Sequence, residues 1–337
     1  MNMALAAGLI RRIVTGSVAA IALSSCTDLS STSATSEQDN SAPATEQVAQ
    51  PDEPLEVVTT FLPMTDFAQA VAGDRAQVTQ LLPVGVSPHD YQAKPQDAQR
   101  IAEADVLIKN GLAFENFLAA LIENAGNADL AVVDTSAGID PLSTTAEDEH
   151  TEADHADDHD HGGVDPHIWL DPKRAIQQVE NIRDGLIAAD PDGGDIYTDN
   201  AAAYISELQA LDRDISEALA PYARKTFVTY HDFAGYFARS YDLKVAYLVD
   251  VPEENAAPAD VRRVIEAASE SNLKTLLSEP QQQGSPFEAI AQDLDVEVSF
   301  FDPLETSGPE GLSPGYYLEV MNRNLDELEA AFGKTSP

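Results

Sequence analysis

The sequence predicts an α/β protein made of two similar parallel-sheet lobes joined by a long helix, and three observations carry that reading. From Leu55 onward, short β-rich runs alternate with helical stretches, the pattern of parallel strands with crossover helices. The alternation occurs twice, once in each half of the chain. Between the halves, Tyr204, Ile205, Leu208, Leu211, Ile215 and Leu219 form an apolar stripe at helical spacing.

In the first half the expected strands are Glu56 to Phe61, Gln77 to Leu82, Asp105 to Lys109 and Leu130 to Val133. A helix is expected from Pro95, because proline suits a first helical turn and apolar residues follow at helical intervals. The connecting helix opens at Asp190-Pro191 and runs to about Leu219, spanning roughly 45 Å if continuous. It reads as a strut between lobes or as a surface helix of one of them. In the second half the expected strands are Thr226 to Tyr230, Lys244 to Val249, Thr275 to Ser278 and Val296 to Phe301. The division that follows is a first lobe over 55–190, a linking helix over 191–220 and a second lobe over 221–337.

The residues before Leu55 read differently. Arg11-Arg12 precedes an apolar stretch, Ile13 to Leu23, that is too short to span a bilayer and has the form of a signal-peptide core. The run Leu23-Ser24-Ser25-Cys26 resembles a bacterial lipobox, which makes residues 1–26 a lipoprotein signal peptide and Cys26 the lipidated residue. Cys26 is the only cysteine, so no intramolecular disulfide can form. Residues 27–54 are rich in Ser, Thr, Ala, Gln, Pro and acids and read as a disordered tether.

A net charge of −39 excludes the positive footprint that nucleic-acid binding requires and favours cations. Part of it is local: the tether and the 147–161 loop carry six and eight acids, with no Lys or Arg. The remainder is spread over the body and reads as solubility in a saline habitat.

The seven histidines divide into two groups. His150, His155, His159 and His161 crowd into the acidic 147–161 loop, whose composition cannot build a core. That loop reads as a weak, mobile metal collector or as a solvated loop with no role. His89, His167 and His231 stand singly in polar loops at or near strand ends, separated by 78 and 64 residues. Such separations exclude a local motif, so a metal site built from them must be assembled by the whole fold. In open α/β sheets ligands bind beyond the carboxyl ends of strands, where these loops lie. Asp302, directly after a predicted strand, is the expected fourth ligand. Glu279 also ends a strand and is an alternative ligand or a carboxylate supporting one. Trp169, Tyr236 and Phe237 read as packing residues.

Four segments together identify a resemblance: Ser87-Pro88-His89-Asp90-Tyr91, Asp165-Pro166-His167-Ile168-Trp169, Tyr230-His231-Asp232-Phe233 with Tyr236-Phe237, and Asp302-Pro303-Leu304. They resemble the zinc and manganese solute-binding lipoproteins of bacterial ABC importers, over nearly everything from Leu55 onward. The resemblance implies two α/β lobes holding one metal ion between them, with His89, His167, His231 and Asp302 as ligands. It also implies an extracytoplasmic, lipid-anchored or periplasmic monomer that delivers metal to a membrane permease and is not an enzyme. The 147–161 loop resembles the His-rich acidic insertion of the zinc receptors.

Three imidazoles and one carboxylate favour Zn²⁺ over Mn²⁺, which prefers oxygen donors, with roughly tetrahedral ligands at about 2.0 to 2.2 Å. In the manganese receptors that the chain resembles, the third ligand is typically Glu where this chain has His231. A zinc hydrolase would instead keep one position open for water beside a base. A surface adhesin rests only on the lipid anchor and is compatible with metal binding.

Overall fold

The computed structural model describes residues 54–143, 163–249, 256–281 and 286–333. The signal peptide, nearly all of the tether, Cys26 and the histidines at 150, 155, 159 and 161 lie outside the described residues.

The first sheet contains β1 (Leu55–Thr59), β2 (Ala76–Gln80), β3 (Val106–Lys109) and β4 (Ala131–Asp134) in the order β2-β1-β3-β4. All its pairings are parallel, with Val57 opposite both Val78 and Val106. Central position explains composition: Val57, Val58, Val106, Leu107 and Ile108 are all buried, because helices cover both faces of such a sheet. Three helices follow these strands: α1 (Leu62–Ala72), α2 (Pro95–Glu103) and α3 (Leu118–Ala125). Pro63 and Pro95 both lie in first turns, where no intrahelical N–H is lost, and Gly73 ends α1 with φ 54°.

A short antiparallel ribbon, β5 (Leu142–Ser143) with β6 (Val164–Asp165), precedes two long helices, α4 (Pro172–Ala189) and α5 (Gly194–Leu219). A 3₁₀ turn at Pro191–Gly193 separates them, so the long helix opens at Gly194 rather than at Pro191. Its 26 residues span about 39 Å. It packs on α1 and α4 of the first half and on the last helix of the second, α9 (Tyr316–Ala331), once the intervening elements are in place. Those elements are β7 (Thr226–His231), α6 (Gly235–Ser240), β8 (Lys244–Val249), α7 (Pro258–Glu270), β9 (Thr275–Ser278), α8 (Pro286–Leu294) and β10 (Glu297–Phe300). The second sheet is again wholly parallel, in the order β10-β9-β7-β8. The two-lobe α/β architecture with a connecting helix is therefore the observed one.

Specific polar joints fix the first half to the connecting helix and to the second half. Asp66 on α1 accepts from Tyr204 Oη on α5 and from the Gly315 amide just before α9, both at 2.8 Å. Arg75 grips Asp190 with two nitrogens at 2.7 and 2.9 Å, and Tyr197 Oη adds a third bond to the same carboxylate at 2.8 Å. Trp169 donates its indole N–H to the Pro303 carbonyl at 2.8 Å, across 134 residues. Tyr317 Oη donates to the Trp169 carbonyl at 2.7 Å. Around these joints one continuous apolar core runs through both halves.

A candidate metal centre between the lobes

Each site residue is delivered by a loop or strand end whose path is set locally. His89 follows β2 within a 3₁₀ turn, Pro88–Asp90, where Ser87 Oγ accepts from the His89 amide at 3.3 Å. His167 follows β6, and His231 is the last residue of β7. Three side chains from distant parts of the chain thereby meet, with ring centroids 5.7, 5.8 and 5.5 Å apart.

The acid that joins them is Glu305. Its Oε1 lies 3.1 Å from His89 Nε2, 3.3 Å from His167 Nε2 and 3.5 Å from His231 Nε2. One ligand atom from each of the four residues can be chosen so that all lie within 4.8 Å of one another, close enough to share one ion. All four side chains are at most 5% exposed. His167 Nε2 and His231 Nε2 are buried without a hydrogen-bond partner and face Glu305, an arrangement costly in an apolar interior unless an ion or shared proton occupies the space. The donor set therefore fits a metal ion.

At the fourth position the structure brings Glu305, and not the expected Asp302, into the converging group. Asp302 is buried, but its Oδ1 accepts from the Leu304 amide at 2.8 Å and its Oδ2 faces Arg323 at 3.5 Å. Burial pushes its pKa up to about 6, against the opposing Leu304 and Arg323 contacts. It caps the turn that carries Glu305. Leu304, just before Glu305, is held at φ 61°, and Glu305 faces the histidines. The only sequence signal was a second acid three positions beyond the strand-end one.

Carboxylates also hold the outer nitrogens of two rings. Asp165 Oδ1 lies 2.8 Å from His167 Nδ1, and also accepts from the His167 amide at 2.9 Å. Glu279 Oε1 contacts His231 Nδ1, while its Oε2 accepts from Gln281 Nε2 at 2.6 Å. Glu279 thus supports a histidine and lies outside the converging group. A carboxylate accepting from Nδ1–H keeps the proton on that nitrogen, leaves Nε2 facing inward as the ligating atom and makes it a stronger electron-pair donor. Phe114 closes one wall, with its ring 5.2 Å from His89 and 6.2 Å from His167.

These contacts set the charge of the cluster. Burial opposes a charged His167, but Asp165 and Glu305 outweigh it and push the pKa up to about 9. His231 is likewise driven well above its ordinary value against burial, by Glu279 and Glu305. Burial would raise Glu305, yet the surrounding imidazoles hold it well below the usual carboxylate range. Before an ion binds, His167 and His231 are thus drawn toward their protonated forms and Glu305 toward its anion.

Residues 57–331 match the family described as ZnuA, zinc-uptake complex component A, periplasmic. The manganese-binding lipoprotein MntA of Halalkalibacterium halodurans is 32% identical over 277 residues, covering 81% of this chain and 87% of that protein. The zinc-binding lipoprotein AdcA of Streptococcus pneumoniae is 31% identical over 290 residues, covering 86% of this chain but only 58% of AdcA. Among solved structures, the Zn(II)-bound ZnuA-like domain of Streptococcus pneumoniae AdcA is similar with a TM-score of 0.69 and 28% identity, over 84% of this chain and all of that one. With two parallel-sheet lobes, a long connecting helix and a histidine-carboxylate cluster between the lobes, the chain belongs to the ZnuA family of metal solute-binding proteins.

Proposed function

We propose that this protein is an extracytoplasmic receptor that captures Zn²⁺ through His89, His167, His231 and Glu305 and delivers it to the permease of an ABC importer. The observation that carries the reading is the convergence of three imidazoles and one carboxylate in a buried pocket. Three nitrogen donors suit zinc, whereas manganese prefers a more oxygen-rich set. Four protein ligands close a tetrahedral shell and leave no position for an activated water, which favours carriage over hydrolysis. Cys26 supplies the lipid anchor, and the 27–54 tether lets a monomeric body reach the permease. No described helix is long and apolar enough to cross a membrane.

Manganese is the second reading, favoured by the similarity to MntA. Metal analysis of protein purified without added metal, followed by competition between the two ions, separates them. Zinc is expected to be retained against a large excess of manganese. Preferential retention of manganese would overturn the zinc assignment, and binding of neither ion would overturn the receptor itself.

A further inference from the structure

Tyr236 reads from the sequence as a packing residue, and it is fully buried, with Arg174 over its ring at 4.6 Å. Its hydroxyl, however, crosses from one half of the protein to the other. It donates to the Asp165 carbonyl at 2.7 Å and accepts from the Leu142 amide at 2.9 Å, bridging the two strands of the β5–β6 ribbon. The residue before it lies beside the same acid. A Cβ placed on Gly235 would lie 2.6 Å from Asp165 Oδ2, so no side chain fits at that position without displacing the carboxylate. Asp165 in turn holds His167 by ring and amide. The helix that carries Tyr236 and Gly235 begins four residues after His231.

We infer that Tyr236 and Gly235 are positioning residues for the metal centre, which aim the Asp165 carboxylate at His167 Nδ1 and so tie the His167 and His231 ligands into one joint. The physical basis is the direction of the Asp165 side chain. Its backbone carbonyl is fixed by the tyrosine hydroxyl, and its carboxylate occupies space beside Gly235 that a larger neighbour would take. A carboxylate so placed keeps the His167 ring in one tautomer and one orientation before any ion arrives. The ordering cost is then met during folding and not on binding. The inference rests on the proposed zinc site.

Two small substitutions test it from opposite sides. Tyr236→Phe removes one oxygen and keeps the ring under Arg174; Gly235→Ala leaves the tyrosine intact and drives a methyl group into the carboxylate. Alanine is also the better helix former, so a loss of metal affinity in Gly235→Ala does not follow from a weaker helix. Both variants are expected to bind zinc about 10- to 100-fold more weakly in competition with a chromophoric chelator, the size found when a group supporting a ligand is removed. In the metal-free protein, the downfield resonance of the His167 Nδ1 proton is expected to shift or vanish in both, as in Asp165→Asn. Unchanged affinity together with an unchanged resonance would overturn the inference. So would a lower melting temperature with both of those readouts intact, which would make Tyr236 purely structural. If the parent protein itself binds no zinc, the proposed function fails, and the resonance alone then decides whether the joint positions His167.

Discussion

Glu279 holds Nδ1 of His231, so that Nε2 of the same ring is the atom turned toward Glu305. The contact links the ends of two neighbouring strands, β7 and β9, and sets a ligand's direction without itself joining the converging group. Its removal should therefore weaken the site without abolishing it. Glu279→Gln is expected to reduce zinc affinity about 10- to 100-fold, since the amide is a poorer partner for the ring N–H. Calorimetric titration measures this, and a complete loss of binding would instead make Glu279 a ligand.

The two acids of the Asp302–Glu305 turn should separate cleanly. Glu305→Gln removes the carboxylate shared by three imidazoles and should cost more zinc affinity than Glu279→Gln. Asp302→Asn keeps an oxygen for the Leu304 amide and removes a buried charge whose pKa already sits near 6, so its effect on zinc should be small. The reverse ranking of the two variants would restore Asp302 as the fourth ligand.

His89→Ala, His167→Ala and His231→Ala should each lower zinc affinity by more than the roughly 100-fold upper range for supporting groups. The circular dichroism of the metal-free variants should remain native, because none of the three histidines belongs to the apolar core cluster. Parent-like zinc binding in any one of the three would remove that histidine from the shell.

Loading should release protons. Because the His167 pKa is pushed up to about 9 from an ordinary 6.5, the stability its pairing contributes to the metal-free protein is fully present below about 6.5 and is lost as pH rises through about 9. Zinc competes with that proton, so affinity should climb with pH up to about 9 and fall steeply in acid. Titration near neutral pH in two buffers of different ionisation enthalpy should report at least one proton released per zinc. Zero release would mean that the rings are already neutral.

Deleting residues 147–161 should spare the tight site, because every residue proposed to hold the ion lies outside that segment. Additional weak zinc equivalents should disappear. Any gain in capture rate from the eight acids should shrink with salt, since their field extends only about 8 to 10 Å at physiological ionic strength. Stoichiometry and association rate at low and high salt, for the intact and shortened proteins, test both parts. Loss of the tight site on deletion would show that its ligands are misplaced.

Much of this protein was legible in the order of its residues because the signals are local. Val57-Val58, Val106-Leu107-Ile108 and Leu276-Leu277 are short apolar runs between turn residues, and strands of that kind are recognisable wherever they pack. The stripe from Tyr204 to Leu219 marks a helix for the same reason, and Tyr204, Leu208, Leu211, Ile215 and Leu219 are all buried along it. His89, His167 and His231 stood out because each interrupts a loop at a strand end. What only the tertiary structure decided was direction. Asp302 and Glu305 are both acids on one loop, yet only Glu305 joins the histidines, beyond a left-handed Leu304 that no periodicity announces. Glu279 and Tyr236 acquire their roles from contacts between segments up to 94 residues apart in sequence. Spacing along the chain tells which face of an element a side chain occupies; which atom it meets depends on how separate elements are brought together.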